Sequence, residues 1–251
     1  MSQPDFLHGF RSLQEGRFAE AVAAFQEVIK EQPDFAEAHF NLGNAYVGQR
    51  DYPRALSAYG AAIRLKADFV QAHTNLGFTH ARLGQHEEAV AAYHQAIRVQ
   101  PDFAEAHLQL GLAFVEQDQF QQAVAPLQEA VRCAPHRGET YRALGHTHLR
   151  CGDYGEAAAA LKQAIHLLPE DTETHFHLGM ALYELGQYNA ACEVLHCVVR
   201  QQPENPQAHF NLALAYLAQG DKEEVETHLA MLKKLSSPLA DELRQEIERL
   251  R

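Results

Sequence analysis

The octapeptide QPDFAEAH stands at residues 32–39 and again, unaltered, at 100–107. The copies are 68 residues apart, and sliding the sequence by half that distance, 34, brings one pattern into register seven times. The units run approximately 2–35, 36–69, 70–103, 104–137, 138–171, 172–205 and 206–239. A period of this length dictates a stack of small units whose stability comes from contacts between neighbours, approximately a nearest-neighbour sum.

Each unit reads as two amphipathic helices. In the second unit His39, Leu42, Gly43 and Tyr46 follow the i, i+3, i+4, i+7 spacing of one helix face. Asp51 caps the next helix, and Pro53 is tolerated in its first turn, where a missing N–H needs no partner. Ala55, Leu56, Tyr59, Ala62 and Ile63 give the second apolar stripe. Between the helices stand Gly16, Gly84, Gly152, Gly186 and Gly220, suited to a left-handed helix end. Pro33, Pro101, Pro135, Pro169 and Pro203 stop the second helix in five units.

A further column holds Gly9, Gly43, Gly77, Gly111, Gly145 and Gly179, with Ala213 last. Glycine inside a helix costs about 1 kcal/mol relative to Ala, so six of them imply close helix approach. The small residues Ala21, Ala55, Ala89, Ala123, Ala157 and Ala191 are expected to supply the facing surface. Pro126, inside a second helix, is expected to kink it. The seventh unit has Lys222 and Val225 where the others carry an aromatic and a small residue. In the first helix Asp5, His8 and Ser12 occupy core columns. That helix is either a polar end-cap, or its stripe of Phe6, Phe10 and Leu13 is rotated toward another face. Residues 238–251 form a last helix with one apolar stripe, Leu239, Leu243, Ile247 and Leu250, as a solvated terminal cap requires.

These columns together resemble the tetratricopeptide repeat (TPR) over nearly the whole chain. The resemblance implies an all-α, right-handed superhelical α-solenoid of helix–turn–helix repeats, here one solenoid over 2–239 with a capping helix over 238–251. It also implies protein binding in a concave groove built from the first helix of each unit. Carried onto this sequence, the groove positions are Phe40, Asn41, Asn44, Asn75, Phe78, Leu108, Gln109 and Leu112. Later units add Arg142, His146, Arg150, His177, Met180, Phe210 and Asn211. Some family members run asparagines along a ligand's backbone in the column of Asn41, Asn75 and Asn211. An amide supplies both donors and an acceptor, and so can hold a peptide unit without selecting its side chain. The alternative is that these amides tie up their own helices.

Chaperone-binding members hold acidic C-termini with basic residues. Phe40, Glu105 and Gln109 stand at those places, which argues against such partners. In units five to seven the equivalent columns hold Arg142, His146, His177, Gln207 and Asn211, able to take a carboxylate or to be ordinary polar surface. The first expectation is therefore a non-enzymatic adaptor that binds a partner's peptide or helix. Self-assembly through a terminal repeat and service as a non-catalytic subunit of an enzyme complex are the alternatives.

Composition narrows the partners. The formal net charge of −12, with no run of Lys or Arg, excludes nucleic acid as an expected ligand. No stretch of about 18 apolar residues exists and the N-terminus lacks the plan of a signal peptide, so a cytoplasmic chain without membrane insertion is expected. Cys133, Cys151, Cys192 and Cys197 form no CxxC pair and read as free thiols.

No catalytic signature is present, and no cofactor or metal is expected. The pairs His146/His148 and His175/His177 look chelating, but on a helix i and i+2 point roughly 200° apart. His39, His73, His107, His175 and His209 share a core column, with Tyr141 in the sixth place, and read as packing residues bonded through one nitrogen. If buried and neutral, they make stability fall in acid.

Overall fold

A computed structural model describes residues 3–249; Leu250, the last member of the terminal stripe, lies outside them. Among the described residues fifteen helices account for the secondary structure, without strands. They divide into two compact units, one through Ala134 and the other from Pro135. The first holds α1 (Gln3–Gln14), α2 (Phe18–Glu31), α3 (Ala36–Gly48), α4 (Tyr52–Leu65), α5 (Val70–Arg82), α6 (His86–Val99), α7 (Ala104–Val115) and α8 (Phe120–Cys133). The second holds α9 (Gly138–Cys151), α10 (Tyr154–Leu167), α11 (Thr172–Glu184), α12 (Tyr188–Gln201), α13 (Pro206–Gln219), α14 (Lys222–Lys234) and α15 (Leu239–Arg249). Within each unit consecutive helices pack together, and odd-numbered helices also touch one another, so they share a face.

The turns follow local chemistry. Asp51 accepts the backbone N–H of Arg54, and Pro53 sits in the first turn of α4. Gly16, Gly84, Gly152, Gly186 and Gly220 all have φ between 72° and 83°, the left-handed region. In the two units that lack this glycine, Arg50 (φ 60°) and Asp118 (φ 56°) take the same conformation. Helix α8 runs unbroken through Pro126. Phe6 of α1 packs on Phe25 and Phe35, with ring centroids 5.7 and 5.0 Å apart, while Phe10 stays exposed; the stripe is only partly turned outward.

The glycine column does mark close approach; the atoms nearest it belong to large side chains, with the alanine column's backbone beside them at Gly77 and Gly111. A Cβ built on Gly43 would lie 2.5 Å from the Tyr59 ring, and one on Gly77 2.7 Å from Tyr93. Gly111, Gly145 and Gly179 meet Leu127, Leu161 and Leu195 in the same way. These large residues lie one helical turn beyond the alanine column, whose members are fully buried at the same interface. Side chains on a helix lean toward its N-terminus, so the large residue at i+4 reaches over to the glycine.

The histidine column fastens the unit boundaries. His39, His107 and His209 each donate Nε2–H to the carbonyl of the proline six residues earlier, at 2.8 Å. His73 does the same to Ala67, at 3.0 Å, where the proline is missing. His175 departs from this pattern, with Nδ1 on the Asp171 carbonyl.

Burial lowers the pKa of His146, His177 and His228, none of which belongs to that column. His228 is the extreme case. Because His209 Nε2–H is committed to Pro203, its neutral ring has Nδ1 as acceptor, and His228 Nδ1–H donates to it at 2.9 Å. His228 Nε2 is left buried with no hydrogen-bond partner. Tyr216 stacks on the His228 ring at 5.9 Å, and the Tyr216 hydroxyl meets His196 Nε2 at 2.7 Å. Burial, with His209 and His196 nearby, pulls the His228 pKa from 6.5 to about 4.

Two predictions follow from this packing. Gly43→Ala should destabilise the chain by about 1–3 kcal/mol through overpacking. Gly60→Ala, whose new Cβ would meet nothing closer than Arg64 Nη1 at 3.5 Å, should stabilise it by roughly 0.5–1 kcal/mol. Urea unfolding of both variants checks the opposite signs. For His228 the unfolded chain binds more protons between pH 6.5 and about 4, so stability is full above 6.5 and is lost as pH falls through that window. The urea midpoint should drop across it, and His228→Leu should remove part of the slope.

Candidate binding face

Within each compact unit the odd-numbered helices share a face, and three sequence columns recur on it. One runs Phe40, Thr74, Leu108, Arg142, Phe176, Phe210; the next Asn41, Asn75, Gln109, Ala143, His177, Asn211; the third Asn44, Phe78, Leu112, His146, Met180, Leu214. Since i, i+1 and i+4 crowd one side of a helix, adjacent odd helices bring the third column of one against the first two of the next.

In the first compact unit this produces a recess of 380 Å³ between α5 and α7, lined by Phe78, Arg82, Gln109, Leu112 and Glu116 among others. Phe78 is 37% exposed, unusual for a large apolar residue in this chain. The recess gathers three sequence-predicted positions and leaves out five. Leu108 is buried. Phe40 is half-buried, its ring 4.8 Å from Phe69 and 5.9 Å from Tyr59. Asn41 is only 8% exposed and donates Nδ2–H to the Glu37 carbonyl at 2.8 Å. Asn44 Oδ1 accepts from the Tyr59 hydroxyl at 2.7 Å and from Asn75 Nδ2 at 2.8 Å. Burial drives the Tyr59 pKa upward and keeps that hydroxyl a donor. These amides have the local partners that the sequence left open as the alternative to holding a ligand.

In the second unit a recess of 350 Å³ opens between α9, α11 and α13, with Leu239 of α15 at one side. It unites His146, His177, Phe210 and Asn211 with Arg150 and Met180. Arg142 is not in its lining; its Nη1 pairs with Asp171 at 3.3 Å and Glu173 at 3.4 Å. Asn211 donates to the Gln207 carbonyl at 2.9 Å, as Asn41 does to its own helix. The His146 and His177 rings lie 4.9 Å apart. Burial lowers both pKa values. Arg150 pushes His146 further down, His146 and Arg142 do the same to His177, and Glu173 opposes both.

Three residues lining this recess escaped the sequence reading as site positions: Leu149, Phe176 and Leu239. Phe176 occupies the column of Phe40 and Phe210, a signal that was available at 34-residue spacing. Leu239 belongs to the cap helix, outside the period. Among the described residues no cluster of three or more metal-ligating side chains occurs, and no helix is long and apolar enough to cross a membrane. All four cysteines are free thiols.

No curated protein matches the sequence. Among solved structures, YrrB, a TPR protein with an unusual peptide-binding site, superposes with a TM-score of 0.72 at 22% identity, covering 76% of this chain and 99% of that one. PilW, a widely conserved type IV pilus biogenesis factor, gives 0.69 at 20% identity over 82% of this chain and 96% of its own. MamA gives 0.61 at 22% identity over 64% and 94%. Such likeness shows the fold. Family profiles described as TPR repeat match residues 81–118, 145–186 and 179–220, and profiles described as tetratricopeptide repeat match 11–68, 41–91 and 105–132. With the helix pairs and their glycine contacts, these matches establish that the chain belongs to the tetratricopeptide repeat family.

Proposed function

We propose that this chain is a non-catalytic interaction scaffold that holds segments of partner proteins against the faces that the odd-numbered helices build within each unit. The observation that carries the reading is that the recess on each of these faces is lined by side chains with apolar surface to offer. Phe78 and Leu112 face one; Met180 and Phe210 face the other. A pocket with an apolar body and a few placed polar groups is what an anchoring side chain requires. YrrB, similar in fold, is a protein with a peptide-binding site, which agrees with this reading. Free cysteines accord with work in a reducing cytoplasmic setting.

The anchors differ from those the asparagine column indicates. Asn41, Asn44 and Asn75 hold α3 and α5 to themselves and to Tyr59, so apolar contact at Phe78 and Leu112 is the main attraction in the first unit. Self-assembly is the second reading, favoured by Leu7 and Phe10, which are 59% and 41% exposed on α1.

The test is selection of binders from a random dodecapeptide display library. The selected peptides are then titrated against the Phe78→Ala/Leu112→Ala variant and against Phe210→Ala. Loss of an anchor is worth about 1–2 kcal/mol, so binding to the affected recess should weaken about 5- to 30-fold with helix content unchanged. Affinity within about twofold of the parent for every variant would overturn the reading. Light scattering of the parent and of Leu7→Ser/Phe10→Ser checks the second reading: a concentration-dependent oligomer lost in the variant is its expected result.

A further inference from the structure

The recess between α9, α11 and α13 has a peculiar charge inventory. On a chain of net charge −12, no carboxylate lines it. Its ionisable lining is Arg150, His146 and His177. The nearest acids, Asp171 and Glu173, are held by Arg142, which leaves that arginine's charge compensated. From α13 come Gln207, Phe210 and Asn211, and from α15 comes Leu239, none of them ionisable. Any positive charge beyond that of Arg150 therefore has to arrive as a proton on the histidine pair.

That pair lines the recess together. His177 Nδ1 is buried and has no hydrogen-bond partner, and its ring lies 4.9 Å from that of His146. That nitrogen is closed to solvent, so a ligand meets the pair through the parts of the two rings that line the recess. A carboxylate accepts from a ring N–H and supplies the counter-charge that a protonated imidazole lacks. Beside the rings, Phe176, Met180 and Phe210 form an apolar wall suited to a large side chain.

We infer that this recess recognises an acidic segment of a partner protein. A carboxylate seats between His146 and His177, a neighbouring large apolar side chain lies against Phe176, Met180 and Phe210, and binding is coupled to proton uptake by the histidine pair. The inference rests on the scaffold reading above and adds the partner's chemistry and its control. Burial disfavours the charged form of both imidazoles in the empty recess. The bound carboxylate raises their affinity for protons, and by linkage protons raise the affinity for the carboxylate. Binding therefore tightens as pH falls through the ordinary histidine range and loosens above it. Added salt weakens binding. The recess between α5 and α7 is lined by one arginine and one glutamate and by no histidine, so it should show neither preference.

The experiment is selection from the same dodecapeptide library on the whole chain at pH 6.0 and at pH 7.5. The expected result is enrichment, at pH 6.0, of peptides with Asp or Glu beside Phe, Leu or Met. Isothermal titration of an enriched peptide in buffers of different ionisation enthalpy should show net proton uptake. Affinity should fall about tenfold between pH 5.5 and 7.5. In His146→Gln/His177→Gln the amides keep hydrogen-bonding capacity but cannot be charged, so that change should shrink to within about twofold. His146→Gln alone, at the more exposed ring, guards against a fold defect and should halve the proton uptake. Enriched peptides that are neutral or basic, or acidic peptides that bind without proton uptake, would overturn this inference and leave the scaffold reading intact. No enrichment at either pH would overturn both.

Discussion

Everything in this fold depends on how closely the two helices of each repeat approach. At Gly43, Gly77, Gly111, Gly145 and Gly179 the backbone of the first helix lies against a Tyr or Leu side chain of the second, with no room for a Cβ. The local cost of a helical glycine is about 1 kcal/mol, and the close packing of Tyr59, Tyr93, Leu127, Leu161 and Leu195 offsets it, since a fully buried large side chain contributes about 1.5–3 kcal/mol. In the last repeat Ala213 fills the place itself, packed in a cluster with Leu232, Ala240 and Leu243 that also holds the cap helix.

Once each pair is locked, the remaining design concerns the joints and the exposed face. Imidazoles donating to turn carbonyls tie four of the repeat boundaries, a task that uses one ring nitrogen and leaves the other to its surroundings. Where the second nitrogen meets another histidine, as at His209 and His228, the site becomes sensitive to acid. His177, outside the histidine column, lines a recess beside His146 and keeps a buried Nδ1 without a partner. Burial and a neighbouring imidazole are the common cause. Both depress the charged form; an anion opposes them, as Glu173 already does in part at His146 and His177.

The sequence alone determined the architecture. A 34-residue period, left-handed glycines between helices and prolines after them dictate helix pairs because each signal is local: a turn needs φ > 0, and a helix stops where a carbonyl meets a proline ring. The candidate face was legible as columns for the same reason. Periodicity reports which residues share a side of a helix, and so Phe78, Gln109, Leu112, His146, His177, Phe210 and Asn211 could be named and are found lining recesses.

Only the tertiary structure decided what those residues are free to do. Asn41, Asn44 and Asn75 are amides in the right column, yet carbonyls and a tyrosine claim them at distances that depend on how α3, α4 and α5 pack. Arg142 is claimed by acids 29 and 31 residues away, and Leu239 enters a recess from outside the period. The large residue that fills each glycine notch lies one turn beyond the small one that the spacing implicated, because side chains lean along the helix axis. Repeat spacing fixes direction around a helix, but hydrogen bonds, ion pairs and lean depend on distance between helices, and only packing sets that.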